Sequence, residues 1–372
     1  MKVLSAETNL GSATNVSNAP VVRLFNSGTD NILVTRKDYN AVVVGSFIVP
    51  AGQVVYCEKY FTDTLEGSAD VKATKVAYSS MMSFASSGSS GSSGIDCEGL
   101  PSGRYIDFSA RKTLNVSSRE TYPTGVYVGN SGTKLYTVGQ SGDGVDEWTL
   151  STAYDPTSAT HTRFKSTVGD DFAPDDLYFK DDGTKFFIVG NAWDKIYEYH
   201  LSTAWDISTA SYDSNYVLGT NSSVVYPTGL TFSPDGVYMF LLATGSGYVN
   251  RWTLSTPWDI STAGSKTQSN FASAKLGTNQ SGGLAFNPSG TRLALVTSNF
   301  DQLFEYTLST AWNLSTTTYV SGVQLSSHQG YITGVSWDHN NGQYFYITGS
   351  TPDSVDRYEI CGGGHYKLFG RP

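Results

Sequence analysis

An aromatic residue followed by a carboxylate or an amide recurs four times at nearly constant spacing. The pairs are Tyr154–Asp155, Trp205–Asp206, Trp258–Asp259 and Trp312–Asn313. An aromatic ring can stack on a sugar, and a neighbouring carboxylate can accept bonds from its hydroxyl groups. Alternatively, the ring fastens a turn onto neighbouring strands and the carboxylate caps the turn backbone. Recurrence in every copy favours this structural role, because a binding site usually breaks a repeat's symmetry.

Three aromatic residues depart from the repeat and are therefore better candidates for ligand binding. Trp193 lies in the loop 191–194, Asn-Ala-Trp-Asp, which has no aromatic counterpart in the other copies. Tyr248 and Phe300 occupy related loops. Each could instead be an ordinary exposed aromatic, since apolar atoms contribute much of any protein surface. We predict Trp193, Tyr248 and Phe300 as ligand-binding residues.

Residues suited to enzyme chemistry are scarce. The five histidines are scattered without the spacing of metal ligands, and no Gly-x-Ser-x-Gly elbow with triad partners stands out. Asp170, Asp171, Asp175 and Asp176 could bind Ca²⁺, but a solvated acidic loop is favoured. We therefore expect no catalytic residues, no metal, no cofactor and no enzyme activity.

Charge and cysteine usage restrict the partners and the compartment. The 372 residues carry a net charge of −9, and all of the acidic excess lies beyond residue 80. Without a basic cluster, the chain is a poor binder of nucleic acid or of anionic membranes. Cys57, Cys97 and Cys361 do not make a disulfide framework, although Cys97 and Cys361 could come near each other. The first residues lack the apolar segment of a signal peptide, so we expect synthesis in the cytoplasm and no membrane insertion.

The elements that must position these residues are short strands. Charged residues make up only 15% of the chain, and Tyr, Thr, Gly and Asn are abundant, which favours an all-β fold. Beyond residue 95, a turn glycine recurs five times at steps of 51 to 54 residues, and an aromatic residue recurs in register with it. The glycines are Gly132, Gly183, Gly236, Gly290 and Gly342. Four strands per repeat of about 50 residues are typical of a propeller blade, so we predict a five-bladed β-propeller.

Ring closure and inner-strand chemistry follow from the same alignment. Lys112–Val116 precedes the first blade at the spacing at which Val217–Thr220 precedes the third, so it is predicted to be the outer strand of the last blade. The inner strands show Tyr127, Tyr178 and later small residues between apolar positions, without a carboxylate. A glycosidase needs two carboxylates in its cavity, so the inner strands argue against hydrolysis.

The first 80 residues form a separate unit in this interpretation. Five short strands are predicted over Pro20–Phe25, Asn31–Arg36, Val42–Val49, Gln53–Tyr60 and Asp70–Tyr78. They predict a small antiparallel β-sandwich. Residues 81–95 contain Ser-Ser-Gly three times, and such a tract cannot bury enough apolar surface to order itself. The predicted organisation is a sandwich over 1–80, a flexible linker over 81–95 and a propeller over 96–372.

The repeated phrase LSTAWDIST resembles propeller repeats of virion proteins from tailed bacteriophages, especially cyanophages. The N-terminal stretches VVRLFNSGTDNILVT and VPAGQVVYCEKYFTDTLEG resemble the small domain that begins many phage structural proteins. This resemblance implies a multi-copy virion component whose sandwich attaches to capsid or tail proteins and whose propeller faces outward towards a host-surface glycan. A particle-associated glycan-cleaving enzyme and a bacterial interaction scaffold unrelated to phage are the alternatives.

Overall fold

The computed structural model describes the chain in segments. They are residues 2–3, 8–12, 21–37, 43–58, 64–77, 106–217, 224, 226–243, 247–270, 282–339 and 342–360. The chain divides into two compact units, Met1–Ser92 and Ser93–Pro372. The predicted linker lies outside the described residues, which form strands, turns and short 3₁₀ turns without an α-helix. Within these segments, no helix has the length and apolar character needed to span a bilayer.

The N-terminal unit consists of eight strands in two antiparallel sheets. They are β1 (Lys2–Val3), β2 (Thr8–Asn9), β3 (Val21–Asn26), β4 (Ile32–Lys37), β5 (Val43–Val49), β6 (Val54–Glu58), β7 (Thr64–Glu66) and β8 (Val71–Ala77). One sheet has the order β1-β8-β3-β6, with β2 also paired to β8, and the other has the order β5-β4-β7. The predicted small sandwich is confirmed. Its five predicted strands correspond to β3, β4, β5, β6 and β8.

The core of this unit lies between the two sheets. Leu24 and Ala73 come from the first sheet, Val34 and Leu65 come from the second, and all four side chains are fully buried. Alternate residues of a strand point to opposite faces, so one apolar face per sheet is enough to make the core.

The second unit is built from five four-stranded antiparallel sheets, which confirms the predicted propeller. Its strands are β9 (Ile106–Asn115), β10 (Pro123–Gly129), β11 (Lys134–Gly139), β12 (Gly144–Leu150), β13 (Ala159–Ser166), β14 (Pro174–Phe179), β15 (Lys185–Gly190), β16 (Lys195–Leu201), β17 (Ala210–Val217), β18 (Pro227–Phe232), β19 (Tyr238–Ala243), β20 (Tyr248–Thr253), β21 (Thr267–Ser269), β22 (Leu284–Phe286), β23 (Arg292–Thr297), β24 (Gln302–Leu308), β25 (Thr317–Gln324), β26 (Gly330–Trp337), β27 (Tyr344–Thr351) and β28 (Asp353–Ile360). Blades one to four take four consecutive strands each, starting at β10, β14, β18 and β22.

The last blade has the order β26-β27-β28-β9, so its outer strand comes from the start of the unit. Lys112 lies opposite Arg357 and Asn115 lies opposite Ser354. The predicted closing strand is therefore confirmed, and it begins six residues earlier than the sequence indicated. Pairing the two ends of the ring removes an open sheet edge.

The four repeated aromatics fasten the turns of the blades, as Trp258 illustrates. The main-chain N–H of Trp258 donates to the carbonyl of Gly236 at 3.1 Å. A Cβ added at Gly236 would lie only 2.3 Å from the Trp258 ring. Gly236 has φ +70°, so the turn needs glycine for its backbone and for the space. The Trp258 ring is 5% exposed and stacks on Phe232, with centroids 5.4 Å apart. Asp259 caps the turn by accepting the N–H of Ser261.

One position in the third strand connects blades one, two, three and five to the turn of the following blade. Glu198 in blade two accepts the Ile260 N–H at 3.3 Å, and Arg251 in blade three donates to the Trp312 carbonyl at 3.0 Å. Either charge can serve, because a turn presents both a main-chain donor and a main-chain acceptor. These contacts hold the blades in a rigid ring that positions its loops.

Candidate functional site

Exposed aromatic side chains collect at one end of the propeller. In a four-stranded meander, the turn between strands two and three lies at the same end as the connection from strand four to the next blade. Five rings in these loops are 48% to 58% exposed. We call this set the aromatic end: Phe172, Trp193, Tyr226, Phe300 and Tyr331.

The structure brings two of the three predicted ligand-binding residues to the aromatic end as exposed rings. Trp193 lies between β15 and β16, and Phe300 lies at the equivalent place between β23 and β24. The expectation that Trp193 has no aromatic counterpart is wrong, since Phe300 occupies the same position two blades later. Tyr248 begins β20 at this end but is only partly exposed. The shared Asp after Trp193 and Phe300 is the sequence signal that would have aligned them.

The aromatic end contains the same arrangement twice. The Asp194 carboxylate, after Trp193, accepts the Tyr226 N–H at 3.0 Å. The Asp301 carboxylate, after Phe300, accepts the Tyr331 N–H at 2.6 Å. Each carboxylate thus ties a ring-bearing turn to a tyrosine that precedes or begins the next inner strand. Sequence analysis missed both tyrosines, because each stands next to an inner strand and reads as part of it.

The backbone of these pairs is held in an uncommon conformation. Tyr226 and Tyr331 have φ of 53° and 52°, and Asp194 and Asp301 have φ of 48° and 49°. Residues other than glycine seldom adopt this left-handed region, and they persist there only when the surroundings determine it. The two bonds described above supply that constraint. The rings are therefore presented on preorganised loops.

Asp171 supports the loops that carry Phe172 and Trp193. Its buried carboxylate accepts the Ala173 N–H at 2.8 Å and the Tyr197 hydroxyl at 3.2 Å. Burial raises the pKa of this carboxyl, while these hydrogen bonds lower it. The rings of Phe172 and Trp193 meet edge to face with centroids 6.2 Å apart. A buried, bonded carboxyl thus fixes an exposed aromatic pair.

Two sequence expectations about acidic residues are wrong. The first is the solvated acidic loop, since Asp171, Asp175 and Asp176 are buried. The second is that the inner strands carry no carboxylate, since Asp175 and Asp176 belong to the inner strand β14, where the other blades place threonine or glycine. Asp176 accepts the N–H groups of Leu177 and Leu230, both at 2.9 Å, and so links two inner strands. Burial raises the pKa of both Asp175 and Asp176 well above the usual range.

Packed aromatic rings lie towards the opposite end of the ring. Tyr127 stacks on His339 with centroids 5.4 Å apart, and Tyr178 meets the same imidazole edge to face. Burial lowers the pKa of His339 to about 4, so the ring is neutral near pH 7. The repeated aromatics Tyr154, Trp205, Trp258 and Trp312 also lie at this end, in the turns between strands three and four.

One histidine of the described segments does have ligand-type neighbours. His200 Nε2 lies 3.1 Å from Asp213 Oδ2 and 3.5 Å from Glu198 Oε1. Sequence spacing missed this group because Asp213 comes from the neighbouring strand. Cys97 and Cys361 lie outside the described residues, so their expected proximity stays a prediction.

Comparison with known proteins returned solved structures only; no family model and no curated protein matches the chain. A luciferin-regenerating enzyme is similar at 11% identity and TM-score 0.43, covering 68% of this chain and 96% of that one. The periplasmic gluconolactonase PpgL of Pseudomonas aeruginosa is similar at 14% identity and TM-score 0.39, covering 65% and 67%. A nidogen/laminin complex matches at 14% identity and TM-score 0.41, covering 66% and 78%.

These comparisons correct the prediction that the chain is not an enzyme. Two of the similar structures are enzymes by their names, so that exclusion is wrong as it was drawn. Identities of 11% and 14% carry no reaction, substrate or residue role over to this chain.

Proposed function

We propose that this protein is a component of a bacteriophage particle whose propeller binds a host-surface polysaccharide through the aromatic end. The observation that carries the proposal is the repeated unit of an exposed ring, an aspartate and a tyrosine. It occurs once with Trp193 and once with Phe300, in loops held by defined hydrogen bonds.

The chemistry of the aromatic end suits a sugar ligand. Each ring is about half exposed and can offer an apolar surface for stacking. Asp194 and Asp301 each accept a main-chain N–H, so they hold the backbone of the loops that carry the rings. Less backbone entropy is lost on binding when these loops are preorganised.

Two ring-bearing units suit a polymer better than a single sugar. One unit connects blades two and three, and the other connects blades four and five. A chain of repeating saccharides that engages the second unit after the first gains affinity through effective concentration. Display of many copies on one particle multiplies the same gain.

The particle role rests on the resemblance of the repeats and of the N-terminal stretches to virion proteins. It is supported by the division into two compact units, which suits one unit for attachment and one for display. The propeller carries the acidic excess, so neighbouring copies repel each other. We therefore assign attachment to the sandwich.

The glycan hypothesis is tested with Trp193→Ala and Phe300→Ala in the full chain. Binding to a panel of immobilised bacterial surface polysaccharides is measured, and each variant is expected to weaken it while the melting temperature is unchanged. Tyr212→Ala and Tyr319→Ala are matched controls, since both rings are 45% exposed but lie on the outer strands β17 and β25. Equal losses in both pairs of variants, or no polysaccharide bound by the wild type, would contradict the hypothesis.

The attachment hypothesis is tested with residues 1–92 and residues 93–372 produced separately. Each is incubated with particles that lack the protein and is then sedimented with them. Binding by the N-terminal piece alone is expected. Binding by the propeller piece alone would reverse the assignment, and binding by neither piece nor the full chain would contradict a particle role.

A further inference from the structure

We propose that Glu198, His200 and Asp213 form a binding site for a divalent transition-metal ion, with Zn²⁺ as the expected occupant. The three side chains lie on the third and fourth strands of blade two. Their ligand atoms all lie within 4.8 Å of one another. This inference is independent of the proposed function.

The two distances from His200 to the carboxylates suit a tetrahedral ion. Zn–N and Zn–O bonds of about 2.0 to 2.2 Å place neighbouring ligand atoms about 3.3 Å apart. His200 Nε2 is 3.1 Å from Asp213 Oδ2 and 3.5 Å from Glu198 Oε1. Glu198 Oε1 also accepts a hydrogen bond from Lys185 Nζ, so a cation bound by the three side chains would share this oxygen with the ammonium group.

The local charge also favours a cation. Lys185 pairs with Glu198 from β15, the strand on the other side of β16. With a neutral imidazole, two carboxylates and one ammonium leave one net negative charge among these four side chains. Glu198 remains buried, while His200 and Asp213 are about half exposed, so an ion can reach the group from solvent.

Comparison of the blades shows that the group is specific to blade two. Glu198 has counterparts in Glu147 and Glu305, but the position of His200 holds threonine in both of those blades. Asp213 is the extra residue of a β-bulge in β17. The corresponding bulge residues are Thr162 in blade one and Val320 in blade four. Two ligand-type residues therefore replace non-ligands together, in one blade, at positions that face each other.

The test uses the full chain, freed of metal by a chelator and titrated with Zn²⁺ alone in a calorimeter. The variants are His200→Thr and Asp213→Thr, which introduce the residues that blade one carries at these positions, so the fold is expected to survive. Wild type should bind one more Zn²⁺ per chain than either variant, and Zn²⁺ should raise the melting temperature of wild type more.

His161→Ala is the matched control. His161 Nε2 lies 2.7 Å from Asp146 Oδ1 on neighbouring strands of blade one, at positions other than those of His200 and Asp213, and forms a pair of one histidine and one carboxylate. This variant should keep the full Zn²⁺ stoichiometry. As a second readout, Cu²⁺ spectra should lose one nitrogen coupling in His200→Thr and keep it in His161→Ala. Equal Zn²⁺ stoichiometry in wild type and His200→Thr would overturn the site and leave His200 and Asp213 as a pair of neighbouring side chains without a metal.

Discussion

Arg357 Nη1 donates a hydrogen bond of 3.2 Å to the main-chain carbonyl oxygen of Tyr154. Arg357 belongs to the last blade and Tyr154 to the turn of the first blade, so this bond crosses the point where the ring closes. The guanidinium is buried, stacks over Tyr344 and pairs with Glu359 at 2.9 Å. Arg251 makes the equivalent bond to Trp312 two blades earlier.

Replacing Arg357 by methionine should destabilise the propeller. The side chain keeps much of its volume but loses a hydrogen bond made by a charged donor, which contributes about 1.5 to 3 kcal/mol. Chemical denaturation followed by tryptophan fluorescence measures the free energy of unfolding. Arg119→Met is the control, since its guanidinium is 37% exposed, and it should change stability by less than about 1 kcal/mol. Equal effects of the two variants would argue against a role for Arg357 in closure.

Deleting residues 95–118 should unfold the propeller cooperatively. The deletion removes β9, exposes the edge of β28 and takes away the buried side chains of Ile106 and Val116. Calorimetry should show the loss of the propeller transition. Deleting residues 1–80 is the control and should leave that transition in place. A truncated propeller that keeps its melting temperature would show that closure contributes little.

Two tryptophans of opposite exposure should respond differently to the same change. Trp258→Ala should cost about 3 to 5 kcal/mol, the usual range for a buried Trp. Trp193 is 58% exposed, so Trp193→Ala should stay within about 0.5 kcal/mol of wild type. Denaturant titration of both variants gives the comparison. A stable Trp258→Ala protein that loses polysaccharide binding would instead favour the sugar-stacking role of the repeated aromatics.

His339 should make the propeller less stable in mild acid. Its pKa falls from an ordinary value near 6.5 to about 4 in the folded state, so the unfolded chain binds the proton more tightly. The contribution of neutral His339 to the free energy of unfolding is therefore fully present above about pH 6.5. It is lost as the pH falls towards 4, by on the order of 3 kcal/mol at most.

The contribution of His339 is isolated by comparing wild type with His339→Gln between pH 4 and pH 7. The buried carboxyls of Asp175 and Asp176 act in the opposite direction, because their pKa values are raised in the folded state. Both proteins contain these carboxyls, so their effect cancels in the comparison. The variant should show a smaller loss of stability in acid than wild type. Parallel pH curves for wild type and His339→Gln would contradict the assignment.

The blade number, the closing strand and the turns fastened by the repeated aromatics could be predicted from the sequence because they depend on local chemistry. A turn with φ +70° demands glycine, as at Gly236, and each copy must repeat it. The spacing of Leu114 before Val126 matches that of Leu218 before Leu230, which was enough to place the closing strand. Alternating apolar residues and turn residues recur at fixed intervals, so they can be recognised in the sequence alone.

The sites depended on contacts that have no fixed spacing along the chain. Tyr226 is tied to the turn that carries Trp193 only because Asp194 accepts its main-chain N–H across a blade boundary. Asp213 faces His200 only because of a bulge in β17. Asp175 lies in a polar sequence and is nevertheless buried, since the start of β14 packs inside the ring. By itself the sequence determined which elements form and how they close, whereas the tertiary structure decided which side chains meet, because blade packing brings together residues from separate repeats.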